Sequence, residues 1–261
     1  MWRGLVTAVR TLTILPVPGG EAPSVAMSLY WFPLVGLLIG LLQWGAGGLV
    51  GATAIKGWPG GAAAAVLVAG ALLTRGLHLD GLADWADATA VLAGREKALE
   101  VMKDPRIGAL GAVALVSVML VKWVALTRLA AADALVWIVP ACVIARAMQV
   151  ELAALLPYAR AEGGTAGAFV GGAGAAHRLA VLASAALLVL VPFGGMGAAV
   201  LVLGWAFARA FAWRCRVRYG GVTGDLLGAC SELTETLVLA AAALVAHPDG
   251  GMRVIGWGGW F

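Results

Sequence analysis

Seven apolar stretches, at residues 29–50, 60–77, 108–127, 134–156, 179–193, 197–213 and 226–246, constrain this chain more than any other feature. A bilayer core of roughly 30 Å is crossed by about 20 apolar residues in a helix. Backbone in lipid must satisfy its own hydrogen bonds, so runs of this length read as membrane helices. The fifth and sixth stretches are short; they read as half-spans or as segments that merge around Pro192-Phe193-Gly194-Gly195. Charged residues make up 12% of the 261, about half of the ~25% usual for a soluble domain, and the mean hydropathy is +0.93. No polar linker divides the chain. The expected fold is one all-α domain over residues 1–261, a polytopic transmembrane helical bundle of about seven spans with acidic helical segments in its cytoplasmic loops.

The basic residues alternate from loop to loop. Arg3 and Arg10, then Arg75, Arg95, Lys97, Lys103 and Arg106, then Arg160 and Arg178, then Arg214, Arg216 and Arg218 fall on one side. Lys56, Arg128 and Arg253 fall on the other. The positive-inside rule places the first set, and with it segments 78–107, 157–178 and 214–225, in the cytoplasm, with the C-terminus outside. It also accounts for the net charge of +4 and the pI of about 9.3 without a nucleic-acid partner, because the bases are not gathered on one face. Cys142, Cys215 and Cys230 have neither metal-ligand nor disulfide-framework spacing. Residues 1–18 lack an apolar core followed by a cleavage site, so no cleaved signal peptide is expected and the first span serves for insertion. The eleven tryptophans suit anchoring at the membrane interface.

The acids are unevenly placed. Asp80, Asp84, Asp87, Glu96, Glu100 and Asp104 lie close together, and Asp225, Glu232 and Glu235 form a second group. On a helix Asp80, Asp84 and Asp87 stack on one face. Three adjacent like charges are unfavourable without a cation between them, and carboxylates without His or Cys suit a hard cation such as Mg²⁺. That points to phosphoryl transfer; a solvated face on a loop helix has the same spacing. The cluster abuts an apolar span, where ionisable residues are costly and usually functional. Lys103-Asp104-Pro105-Arg106 opens the next helix, whose free N–H groups and flanking bases suit a phosphate or are simply a helix cap. Arg218, Gly220, Gly221, Thr223 and Asp225 open another helix and offer the same choice. Glu232, two turns beyond Asp225, should face the protein interior. Arg146 and Glu151 form a structural pair or line a polar cavity. His78 borders the acidic helix, and Arg160 ends a span where a phosphate would meet it.

The run His78-Leu79-Asp80-Gly81-Leu82-Ala83-Asp84-Trp85-Ala86-Asp87, then Arg95-Glu96, then Met102-Lys103-Asp104-Pro105-Arg106-Ile107-Gly108, resembles the signature of the cobalamin synthase family, also called adenosylcobinamide-GDP ribazoletransferases. The resemblance extends along most of the chain, through Leu12-Thr13-Ile14-Leu15-Pro16-Val17-Pro18, Tyr30-Trp31-Phe32-Pro33-Leu34-Val35-Gly36, Pro157-Tyr158-Ala159-Arg160 and Gly220-Gly221-Val222-Thr223-Gly224-Asp225-Leu226-Leu227-Gly228-Ala229. Trp85 stands where the family pattern has a smaller residue. The resemblance implies a Mg²⁺-dependent enzyme of the cytoplasmic membrane. It would transfer the adenosylcobinamide phosphate moiety of adenosylcobinamide-GDP to the ribose 3′-hydroxyl of α-ribazole, or of its 5′-phosphate, releasing GMP. It implies Asp80, Asp84, Asp87, Asp104 and Asp225 as catalytic metal ligands. His78, Lys103, Arg106, Arg160, Arg218, Thr223 and Glu232 would be substrate contacts. It is compatible with a homo-oligomer and with association with other corrinoid-pathway enzymes.

Two other classes are weighed against it. The Asp80-Gly81 run is similar to the aspartate motif of CDP-alcohol phosphotransferases, but their usual pattern has an Arg after DGxxA, whereas here Asp84 follows Ala83. A cation-coupled transporter would place its acids near the bilayer midplane and often shows inverted repeats; here most acids lie at one face.

Overall fold

The computed structural model describes residues 2–52, 57–160, 162–164 and 166–246. Lys56, Arg253 and the C-terminal end, on which part of the charge count rests, lie outside the described residues. The order of elements is α1 (Trp2–Leu12), a 3₁₀ segment (Val25–Trp31), α2 (Phe32–Ala52), α3 (Pro59–Leu73), α4 (Leu77–Thr89), α5 (Arg95–Val101), α6 (Ala109–Ala131), α7 (Ile138–Leu155), α8 (Gly167–Gly172), α9 (Ala175–Tyr219) and α10 (Gly224–Val245). Among the described residues there is no named strand, only an isolated bridge between Tyr158 and Val222.

Among the described residues five stretches are long and apolar enough to cross a membrane, Val25–Ala52, Ala109–Ala131, Leu135–Leu155, Ala175–Tyr219 and Gly224–Val245, or six if the bent pair Pro59–Leu73 and Leu77–Thr89 counts as one span. Helix α7 is buried along nearly its whole length and packs against α2, α9 and α10. Small residues make this possible. A Cβ on Gly36 would come within 2.6 Å of the Cys142 carbonyl, and one on Gly40 within 2.7 Å of Val139 Cα, so α2 and α7 meet backbone to backbone as membrane helices do. Val113, Val116, Leu120 and Val124 of α6 face outward, as a lipid-facing helix requires.

Helix α9 is too long for one crossing, and it is not one straight rod. Arg178 near its start and Arg209 near its end both pair with Glu151, at 3.0 and 3.6 Å. In a continuous helix those two residues would sit about 46 Å apart. The chain therefore doubles back, and it does so at Gly194 (φ 54°, ψ −138°), in a conformation closed to residues with a Cβ. A Cβ on Gly197 would lie 2.7 Å from the Val189 carbonyl, which places the two arms in contact. These arms occupy the positions expected for the fifth and sixth spans.

Helix α3 has 15 residues, about 22 Å, which is short for a crossing. Arg75 and Gly76 both take positive φ, and the chain turns by 89° into α4. Helix α4 thus lies across the ends at which α6 and α10 begin, outside the five spans, and carries the acidic motif there.

Candidate active site

The site is assembled where α4 crosses the start of α10. Gly81 allows the crossing: a Cβ there would lie 2.7 Å from the Asp225 carbonyl and 2.9 Å from its Cα. Gly228 does the same against the backbone of His78. The DG pair of the acidic motif is thus a packing requirement, since the glycine brings Asp80 and Asp84 alongside Asp225. Thr223 caps α10, its hydroxyl accepting from Leu226 N–H (3.3 Å) and donating to Asp225 Oδ2 (3.2 Å). Arg160 donates to the same Oδ2 at 2.6 Å. It arrives from a loop that pairs its backbone with Val222 through Ala159 N–H and the Pro157 carbonyl, both at 2.9 Å. Arg95 fixes that loop through the Ala159 carbonyl (3.0 Å).

Electrostatics shows the crowding. Burial, then Asp225, then Asp80, push the Asp84 carboxyl up to about 7, with Arg160 pulling the other way. Among the described residues no three His, Cys, Asp or Glu side chains form a ready-made metal cage. Mg²⁺ does not need one, because it keeps waters and takes one or two carboxylates plus substrate phosphates. One or two carboxylates from Asp80, Asp84 and Asp225, which repel one another as they stand, would suit such an ion.

Two cavities meet at the Arg160–Asp225 pair. A charged cleft of about 500 Å³ is lined by Arg95, Lys103 and Arg160, with Glu96, Glu100 and Glu162 between them. A largely apolar cavity of about 330 Å³ is lined by Asp80, Asp225, His78 and Gln149 beside Leu12, Leu29, Phe32 and Phe169.

Residues 4–243 match the family model described as cobalamin-5-phosphate synthase. The chain belongs to the cobalamin-5-phosphate synthase family. It is 49% identical over 247 residues to the adenosylcobinamide-GDP ribazoletransferase of Chlorobium phaeobacteroides, covering 94% of this chain and 98% of the relative. The protein of the same name from Chlorobaculum tepidum is 48% identical over 252 residues, covering 94% and 96%. That of Syntrophobacter fumaroxidans is 36% identical over 250 residues, covering 93% and 99%. No solved structure matches the chain.

Several residues singled out in this member of the cobalamin-5-phosphate synthase family are engaged elsewhere. Asp87 accepts from Gly108 N–H (2.7 Å) and Gly111 N–H (2.8 Å), so the anion at the start of α6 is the protein's own carboxylate. Of the two readings open for this helix start, the contact matches the cap. Asp104 and Arg106 form an exposed pair at 2.7 Å, and the guanidinium holds the Asp104 carboxyl down at about 2. Lys103 pairs with Glu162, and Arg218 donates to the Val91 carbonyl. Arg146 pairs with Glu235 at 2.8 Å and not with Glu151, which takes Arg178 and Arg209 instead. Glu232 faces the interior and meets Lys122 at 2.5 Å. Lys122 has no role in the sequence reading, although a lysine inside an apolar run is itself a signal; Gln149 is likewise absent from it and offers no such signal.

Proposed function

We propose that this protein transfers the adenosylcobinamide phosphate moiety of adenosylcobinamide-GDP to α-ribazole or its 5′-phosphate, at a Mg²⁺ site on the cytoplasmic side of the cell membrane. One observation carries this reading: Asp80, Asp84, Asp225 and Arg160 converge where a charged cleft meets an apolar cavity. The ribose 3′-hydroxyl attacks the phosphorus attached to the corrinoid and gives its proton to solvent, while that phosphorus loses its bond to the bridging oxygen, which leaves with GMP. Asp80, Asp84 and Asp225 would offer one or two carboxylates to the ion, which when bound would neutralise charge on the transferring and leaving phosphates. Arg160 is anchored by Asp225 and lines the charged cleft, so its guanidinium is held in place for the diphosphate without a search for position. Arg95 and Lys103 complete the same wall. The names of the relatives and the basic residues of the intervening loops support the substrates and the orientation.

The test is turnover of adenosylcobinamide-GDP with α-ribazole by membranes containing wild type or Asp84→Ala, with Mg²⁺ or with EDTA. Cobalamin and GMP formed only with Mg²⁺, and lost in a variant that inserts normally, are the expected result. A variant as active as wild type overturns the metal assignment. Inactive, well-inserted wild type overturns the reaction.

A further inference from the structure

The apolar cavity on the other face of the Arg160–Asp225 pair has a composition unlike the charged cleft. It is lined by α1, the 3₁₀ segment, the start of α2, α4, α7, α8 and α10. Phe32 and Phe169 stand on one wall with ring centroids 6.4 Å apart, tilted by 56°. Two of its polar residues are buried and incompletely satisfied. His78 is 2% exposed and neither ring nitrogen has a hydrogen-bond partner. Gln149 is 4% exposed; its amide donates to the Leu227 carbonyl at 3.4 Å while its Oε1 accepts nothing. Buried polar groups without partners are rare and costly in native proteins. Both residues line the cavity; the unpartnered atoms are covered by protein as they stand, and a turn of each side chain would present them to a ligand held there.

We propose that this cavity holds the aromatic base of the acceptor, a benzimidazole riboside, with His78 and Gln149 as its polar partners. The inference rests on the transferase reading above and adds which substrate lies on which side. The polar cleft, where Arg95, Lys103 and Arg160 alternate with Glu96, Glu100 and Glu162, is the side suited to the charged diphosphate of the donor, with Arg160 at its inner end. The remaining cavity approaches the same phosphorus from the opposite side, as attacking and leaving groups in a displacement require. About 330 Å³ is at the small end for an organic ligand, enough for a fused bicyclic base and too small for a corrin ring. A benzimidazole is apolar apart from one ring nitrogen, which an imidazole N–H satisfies. Gln149 Oε1 then accepts from a sugar hydroxyl, on the side of the cavity that leads to Asp225. Guanine carries several donors and acceptors around its edge, and the apolar walls would leave most of them unmet.

The experiment measures KM for each substrate separately, using full-length protein in lipid nanodiscs with α-ribazole and adenosylcobinamide-GDP as probes. Ala153→Leu pushes a larger side chain into the cavity from α7. It should raise KM for α-ribazole about tenfold or more and leave KM for the donor within about twofold. A rise in the donor KM instead, or no change in either with the variant inserted as wild type, overturns the inference alone. Wild type that makes no cobalamin overturns the transferase reading and the inference with it. Phe169→Ala, on the short helix α8, is the second variant should Ala153→Leu fail to insert. It enlarges the cavity and should shift kcat/KM towards a bulkier naphthimidazole riboside by about tenfold; an unchanged preference overturns the assignment.

Discussion

Glu235 is the residue whose loss should cost this bundle most. It lies in α10 and accepts from Lys122 of α6 and Arg146 of α7, each at 2.8 Å; Lys122 also holds Glu232 at 2.5 Å. All four side chains are buried, and their charges sum to zero. Each contact is worth about 6 kcal/mol of gross attraction at an effective dielectric near 20. Most of that is offset by removing the ions from water. Deleting Glu235 alone leaves two buried cations facing one carboxylate, and breaking a buried pair in this way costs about 3–5 kcal/mol. Removing a cation and an anion together is different. Lys122→Met with Glu232→Leu leaves Arg146 and Glu235 as a neutral pair, and should cost under about 1.5 kcal/mol, as a swap for apolar residues of similar size does. Unfolding free energies in bicelles, measured by steric trapping for Glu235→Ala and for the double variant, check this. A double variant as damaged as the single one would refute the electrostatic reasoning and show that shape, not charge balance, holds the three helices.

Three other outcomes follow from the site. Gly81→Ala should lower kcat at least tenfold while the protein still inserts, because its Cβ meets Asp225 backbone at 2.7 Å and pushes α4 away from α10; rates and insertion assays on the same membranes decide it. Asp87→Ala should destabilise the protein by about 1–2 kcal/mol through loss of a cap, whereas Asp87→Asn, which still accepts from backbone N–H, should retain most stability and leave the Mg²⁺ requirement unchanged in a metal titration. Asp84 has a folded value near 7, above its ordinary one, so its protonated form favours folding: that contribution is complete below about pH 4 and is lost as pH rises through 7. Melting temperatures with EDTA and with Mg²⁺ from pH 5.5 to 8.5 should therefore diverge as pH rises, with Mg²⁺ protecting most at high pH; a Mg²⁺ effect independent of pH refutes the placement of the ion beside Asp84.

The helical bundle was legible because lipid permits few alternatives, and run length alone locates helices. The fold-back at Gly194 was legible only as an uncertainty: the sequence shows Pro192 and two glycines, but the direction the chain takes depends on Glu151 gathering Arg178 and Arg209 to one place. The acidic motif is equally instructive. Spacing on α4 put Asp80, Asp84 and Asp87 on one face and treated them alike. The structure separates them by what each faces: Asp80 and Asp84 turn to Asp225 and Arg160, while Asp87 meets two N–H groups of α6. Spacing along one helix cannot reveal a partner contributed by another. The same holds for Arg146 and Glu151, near neighbours in sequence whose partners lie on α10 and α9. Resemblance to a family fills part of this gap, since it carries Arg160 and Asp225 as motif residues even though nothing local pairs them. It carries no account of why a glycine follows Asp80. The crossing of α4 over α10 supplies one: the chemistry of the aspartates depends on a neighbouring residue that has no side chain at all.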